Sequence, residues 1–134
     1  MDGGAVTALA DNLRRSMSER IDEFEMKPLA GLSDRDDLHV HAAAIGGSVD
    51  MLLTLDTDFL SLPDSITDAL PYEILTPDSF LVLVDDSGPE YVREVVDTQW
   101  EYWRKKDPSV DLPQRLREVG CPIFAERVYR HQRN

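Results

Sequence analysis

Three aspartates stand where this chain could carry out metal chemistry. Asp37 opens an Ala-rich stretch, and Asp56 and Asp58 close a short apolar run. Clustered carboxylates with no nearby Lys are hard oxygen donors and suit Mg²⁺ or Mn²⁺. An ion held this way activates water and neutralises the leaving oxygen in phosphodiester hydrolysis. Asp56 and Asp58 share a face if the strand continues, and can still converge if it turns. Asp is equally at home as a helix cap or turn residue, so spacing alone leaves both readings open.

Other groups carry weaker signals. His39 and His41 lie two apart on a predicted helix, so their rings point about 200° apart and chelate poorly together; one is expected to pack inward and the other to face solvent. Cys121, between Gly120 and Pro122, has no base beside it and reads as a buried structural thiol. A lone Cys forms no internal disulfide, which fits a reducing, cytoplasmic setting. Trp100 and Trp103 could stack on bases, but their helical spacing with Val92 and Val96 favours a core or interface. Arg127, Arg130 and Arg133 could contact phosphate, or form a solvated helix end favoured by the macrodipole.

The elements that must position these residues follow from periodicity. Val6, Leu9, Leu13 and Met17 predict a first helix with one apolar stripe. Residues 18–32 read as a connection, with a short extended piece at 21–26. A second helix is expected from Asp34 to Ile45, capped by Ser33 or Asp34 and stopped by Gly46-Gly47. A strand over 50–55 follows, its unbroken apolarity predicting burial on both faces. Residues 63–70 read as a short helix or turn, and 72–76 as a second strand, parallel to the first through a right-handed crossover. Thr76 and Pro77 start a helix reaching Val84, and Asp85 to Pro89 reads as a linker. Three helices come after it. The first carries Val92, Val95, Val96, Trp100 and Trp103, the second Leu112, Leu116 and Val119, and the last Ile123, Phe124 and Val128. Two parallel strands do not make a stable sheet alone, so strand 50–55 is expected to seek another neighbour.

Charge narrows the classes further. The net charge is −12, with 5 Lys/Arg against 18 Asp/Glu in residues 1–87 and 9 against 8 in residues 88–134. An acidic body argues against broad, non-specific phosphate-backbone binding, but not against a metal nuclease, where bound cations reverse the local sign. No apolar run approaches the ~20 residues of a membrane span.

Several motifs together resemble the second half of a PIN domain, the fold of metal-dependent ribonucleases that include VapC-type toxins. Asp37-x-His39-Val40-x-Ala42-Ala43-Ala44 is similar to the helix opening that half, and Leu53-Thr54-x-Asp56-x-Asp58-Phe59 to its next strand and turn. Thr76-Pro77-Asp78-Ser79-Phe80-Leu81 is similar to the start of the helix after them. Leu116-x-x-x-Gly120-x-Pro122-x-Phe124-Ala125 is similar to a helical extension found in some VapC-like toxins. The likeness covers about residues 30–134.

The resemblance implies an α/β fold, an incomplete PIN-like three-layer α/β/α arrangement with a parallel sheet over residues 1–86, followed by a helical extension over 87–134. It implies Mg²⁺ or Mn²⁺ as cofactor, RNA as substrate and an antitoxin protein as partner. Asp37 corresponds to the family's third acidic position, Asp56 to the fourth, and Asp58 to an auxiliary acid. The family's opening strand with its first Asp, and the helix carrying an essential Glu, have no counterpart; Glu19, Glu23 and Glu25 do not match that motif. The expectation is therefore a chain short at its N-terminus, weak or inactive as a nuclease alone, that forms a homo-oligomer or joins a complementing N-terminal half. The alternative is a non-catalytic interaction protein using the helices of 89–131.

Overall fold

The computed structural model describes residues 3–133, which form a mixed α/β, mostly helical chain. It divides into two compact units, Met1–Asp50 and Met51–Asn134.

The first unit holds α1 (Gly3–Ser16) and α2 (Arg35–Gly46). Of the stripe expected on α1, the side chains of Val6 and Leu9 lie outside the described residues, and Leu13 and Met17 are exposed. Residues 21–26 lie in the connection between the two helices and form no regular element. Ile21 and Phe24 instead pack over the end of α2, so closely that a Cβ added at Gly46 would lie 2.9 Å from that of Phe24. Helix α2 starts as expected: the Asp34 carboxylate accepts the N–H groups of Asp36 at 2.8 Å and Asp37 at 3.4 Å. Those two acids occupy the first turn, where the helix dipole favours negative charge.

The second unit runs β1 (Met51–Leu53), α3 (Thr57–Leu60), α4 (Asp64–Thr67), β2 (Glu73–Leu75), α5 (Pro77–Ser87), α6 (Pro89–Lys106), α7 (Leu112–Glu118) and α8 (Pro122–Arg133). The strands pair in parallel, Met51 with Glu73 and Leu53 with Leu75. The expectation that β1 is buried on both faces is overturned. Met51 and Leu53, which point to one face, are exposed and Leu52, which points to the other, is half-buried; β2 is the one strand paired with β1 among the described residues.

The Thr76 side chain caps α5 through the Ser79 N–H at 3.1 Å, with Pro77 at the first helical position. The helix then continues through the segment expected to be a linker: Asp85 to Ser87 are helical, and only Gly88 separates α5 from α6. The core of this unit joins Val92 and Val96 of α6 to Cys121, Phe124 and Val128, with Leu81, Val82, Leu112 and Leu116 packed against them. The apolar stripes are narrower than periodicity predicts. Val95, Trp103, Val119 and Ile123 are exposed and lie outside the buried cluster. Trp103 turns its indole N–H to Gln99 instead, at 3.2 Å.

Two buried carboxylates hold α8 onto α5. Asp78 accepts the backbone N–H of Phe124 at 2.7 Å and of Ile123 at 3.1 Å, so it caps the start of α8 from a distant element. One turn pair later, Asp85 meets His131 Nε2 at 2.6 Å and Arg127 at 2.9 Å, and Asp86 takes the same guanidinium at 2.7 Å. Arg127 is thereby neutralised, Arg130 pairs with Glu126, and Arg133 donates to the Tyr129 hydroxyl. These contacts favour the helix-end reading of the three arginines over a phosphate patch. Among the described residues, no helix is long and apolar enough to cross a membrane.

Two outcomes follow. Asp78→Ala leaves two helix-start amides without their acceptor, and should lower stability by about 1–3 kcal/mol in urea unfolding, with α8 exchanging its amides first. The second concerns pH. Burial opposes ionisation of Asp85, but the hydrogen bonds and charges of His131 and Arg127 outweigh it and hold the carboxyl below its ordinary value. A depressed carboxyl stabilises the fold above the unfolded-state value, and that contribution is lost as pH falls through the lower folded value. Unfolding midpoints measured across the acid range should fall less steeply for Asp85→Asn than for wild type.

Candidate metal centre

Strand β1 ends in a turn built by its own polar groups. The Asp56 N–H donates to Thr54 Oγ1 at 3.0 Å, and the Asp56 carboxylate accepts the Asp58 N–H at 2.8 Å, capping α3. Phe59, next along, is 2% exposed and is the largest fully buried side chain among the described residues. It anchors the turn from below, while Asp56 and Asp58 on either side of Thr57 remain exposed. One carboxylate oxygen of Asp56 lies within 4.8 Å of one of Asp58. The turn thus brings together two of the three expected acids, by convergence in a helix start rather than along a continuing strand.

Asp37 belongs to the first unit. It is buried in the opening turn of α2, and His41, four residues on and so on the same helix face, is buried as well. Burial lowers the His41 pKa, which keeps the imidazole neutral at ordinary pH. His39 is exposed, with its ring edge against Phe24 at 6.2 Å between centroids. One histidine packs inward and the other faces out, as the helical spacing predicted.

The donor set at the turn fits a hard divalent cation. Both side chains are carboxylates, and neither Asp56 nor Asp58 forms an ion pair with a Lys or Arg among the described residues. The cap leaves Asp56 with acceptor capacity to spare, since an ionised carboxylate has about four lone-pair sites. Cys121 is buried and its thiol is pushed up by burial and by the Asp78 charge, so it is no thiolate ligand or nucleophile.

Sequence reading missed the buried acids Asp78 and Asp85. A signal existed: Asp78, Leu81, Val82 and Asp85 follow helical spacing, which puts two carboxylates on the apolar face of α5. No family model, curated protein or solved structure matches this chain.

Replacing Phe59 should test whether the turn depends on its anchor. Phe59→Ala is expected to lower stability by about 3 kcal/mol or more in chemical denaturation. A change below ~1 kcal/mol would show that the carboxylate turn holds without it.

Proposed function

We propose that the chain is a PIN-like, metal-dependent endoribonuclease of the toxin type, with Asp37, Asp56 and Asp58 as ligands of Mg²⁺ or Mn²⁺. The observation that carries this reading is the turn at the end of β1, which sets the Asp56 and Asp58 carboxylates side by side, exposed and without an ion-paired Lys or Arg among the described residues. The end of a parallel strand is where open α/β sheets place their ligands. Thr54 acts as a positioning residue, its hydroxyl holding the Asp56 amide. A hard divalent ion at this place supplies charge neutralisation and a more acidic water at a scissile phosphodiester.

Three carboxylates bind such an ion loosely and leave much of a two-ion site unfilled, so activity of the chain by itself is low. A partner that adds acidic ligands, whether an antitoxin-paired assembly, a second copy or a complementing polypeptide, raises it.

The test pairs binding with cleavage. Titration calorimetry with MnCl₂ should give weak binding by wild type, lost in Asp37→Ala and in Asp56→Ala. Cleavage of a single-stranded RNA mixture should be slow, Mn²⁺-dependent and abolished by Asp56→Ala. Equal Mn²⁺ uptake by wild type and both variants would overturn the ligand assignment. Cleavage that persists in chelator would overturn the nuclease reading.

A further inference from the structure

Strand β1 has a second edge. The Thr54 N–H bonds to Leu75 of β2 at 2.9 Å, so the backbone groups of Leu52 and Thr54 face β2. Strand alternation turns the N–H and C=O of Met51 and Leu53 the other way, where no described residue pairs with them. The side chains there are apolar and open to solvent: Met51 is 44% exposed, Leu53 42% and Leu55 59%. Beside the strand, Met51, Phe80, Leu83, Val84 and Tyr91 line an apolar groove of about 390 Å³.

Natural sheets guard such edges with Lys, Pro, bulges or a covering element. Between Asp50 and Asp56 the sequence has none of these residues. The edge has the features of a strand acceptor: unpaired backbone groups for affinity, and apolar side chains for register.

Charge says what kind of strand fits. From residue 36 to residue 92 the chain has 12 Asp/Glu and no Lys or Arg. A second copy brings no Lys or Arg of its own to this acidic stretch, and when it pairs antiparallel about Leu53 it also sets Asp50 of each copy opposite Asp56 of the other, where like charges are destabilising. We infer that the free edge of β1 accepts an extended strand from a basic partner, with apolar residues over Met51, Leu53 and Leu55 and Lys or Arg near Asp50 and Asp56.

This inference does not depend on the metal reading, and its test is run in EDTA so that either can fail alone. The probe is a fluorescent peptide in which Val alternates with Thr between terminal lysines. Fluorescence anisotropy with the full chain should show binding that weakens as salt rises. A peptide with terminal glutamates should bind roughly tenfold more weakly. Methylating the alternate amides that pair with Met51 and Leu53 should abolish binding. Leu53→Lys, which leaves the β1–β2 bonds in place, should bind at least roughly tenfold more weakly while keeping the helical circular dichroism of wild type.

Equal binding of the lysine and glutamate peptides would overturn the charge assignment. Undiminished binding of the methylated peptide would overturn the edge, and does so even if Leu53→Lys fails to fold. A wild-type dimer in sedimentation that Leu53→Lys dissolves would show a second copy on the edge, against this proposal.

Discussion

The second unit is organised around one carboxylate. Pro122 begins α8 without an N–H to donate, and Cys121 before it accepts the Ala125 N–H through its carbonyl but has no side-chain oxygen for the amides of Ile123 and Phe124. Those amides need an acceptor, because buried backbone donors without a partner are costly. Asp78 is buried and provides it, from the first turn of a helix 45 and 46 positions earlier in the chain. That bond fixes the position of α8 against α5, and Phe124 and Val128 then join Val92 and Val96 of α6 in the core. Two turns along α5, Asp85 fixes the other end of α8 through His131 and Arg127. Both ends of one helix are thus tied by ionisable groups, and the apolar core lies between the ties.

Some of this was legible in the sequence, for local reasons. Asp34 before an Ala-rich stretch and Thr76-Pro77 before an apolar one are capping signals that act within a single turn, and both caps form as predicted. His39 and His41 part company because two helical positions set side chains on opposite sides. The parallel pairing of β1 and β2 follows from the length of the connection between them, which is too long for a hairpin. What the sequence hid depends on distant neighbours. Nothing near Asp78 announces that its acceptor capacity serves α8. Asp85-Asp86-Ser87-Gly88-Pro89 has the composition of a linker, yet Arg127 and His131 make its first acid a buried anchor and its backbone helical. Apolar residues at Val119 and Ile123 obey the helical period, yet lie beyond the width that the core covers.

The β1 turn shows a different balance. Its geometry is local, set by Thr54, Asp56 and the Asp58 amide, and by Phe59 beneath. Such a turn is a sound helix start in its own right, so the capping role and the proposed metal role share the same atoms. The capping bond orients the Asp56 carboxylate and leaves Asp58 open beside it. The strand that leads into the turn is short and exposed on one face, so a strand docked on its free edge, as proposed, would also steady the carboxylates at its end. The proposed chemistry and the proposed docking edge therefore lie one residue apart in sequence, and are joined through the rigidity of a single strand.

Site-resolved relaxation by Mn²⁺ tests the central claim most directly. Substoichiometric Mn²⁺ added to isotopically labelled chain should broaden the amides of Thr54 to Phe59 and of the first turn of α2 before any others, and excess Mg²⁺ should restore them. Broadening spread evenly over the exposed acids, with Asp64, Asp68 and Glu73 affected as early as Asp56 and Asp58, would contradict it.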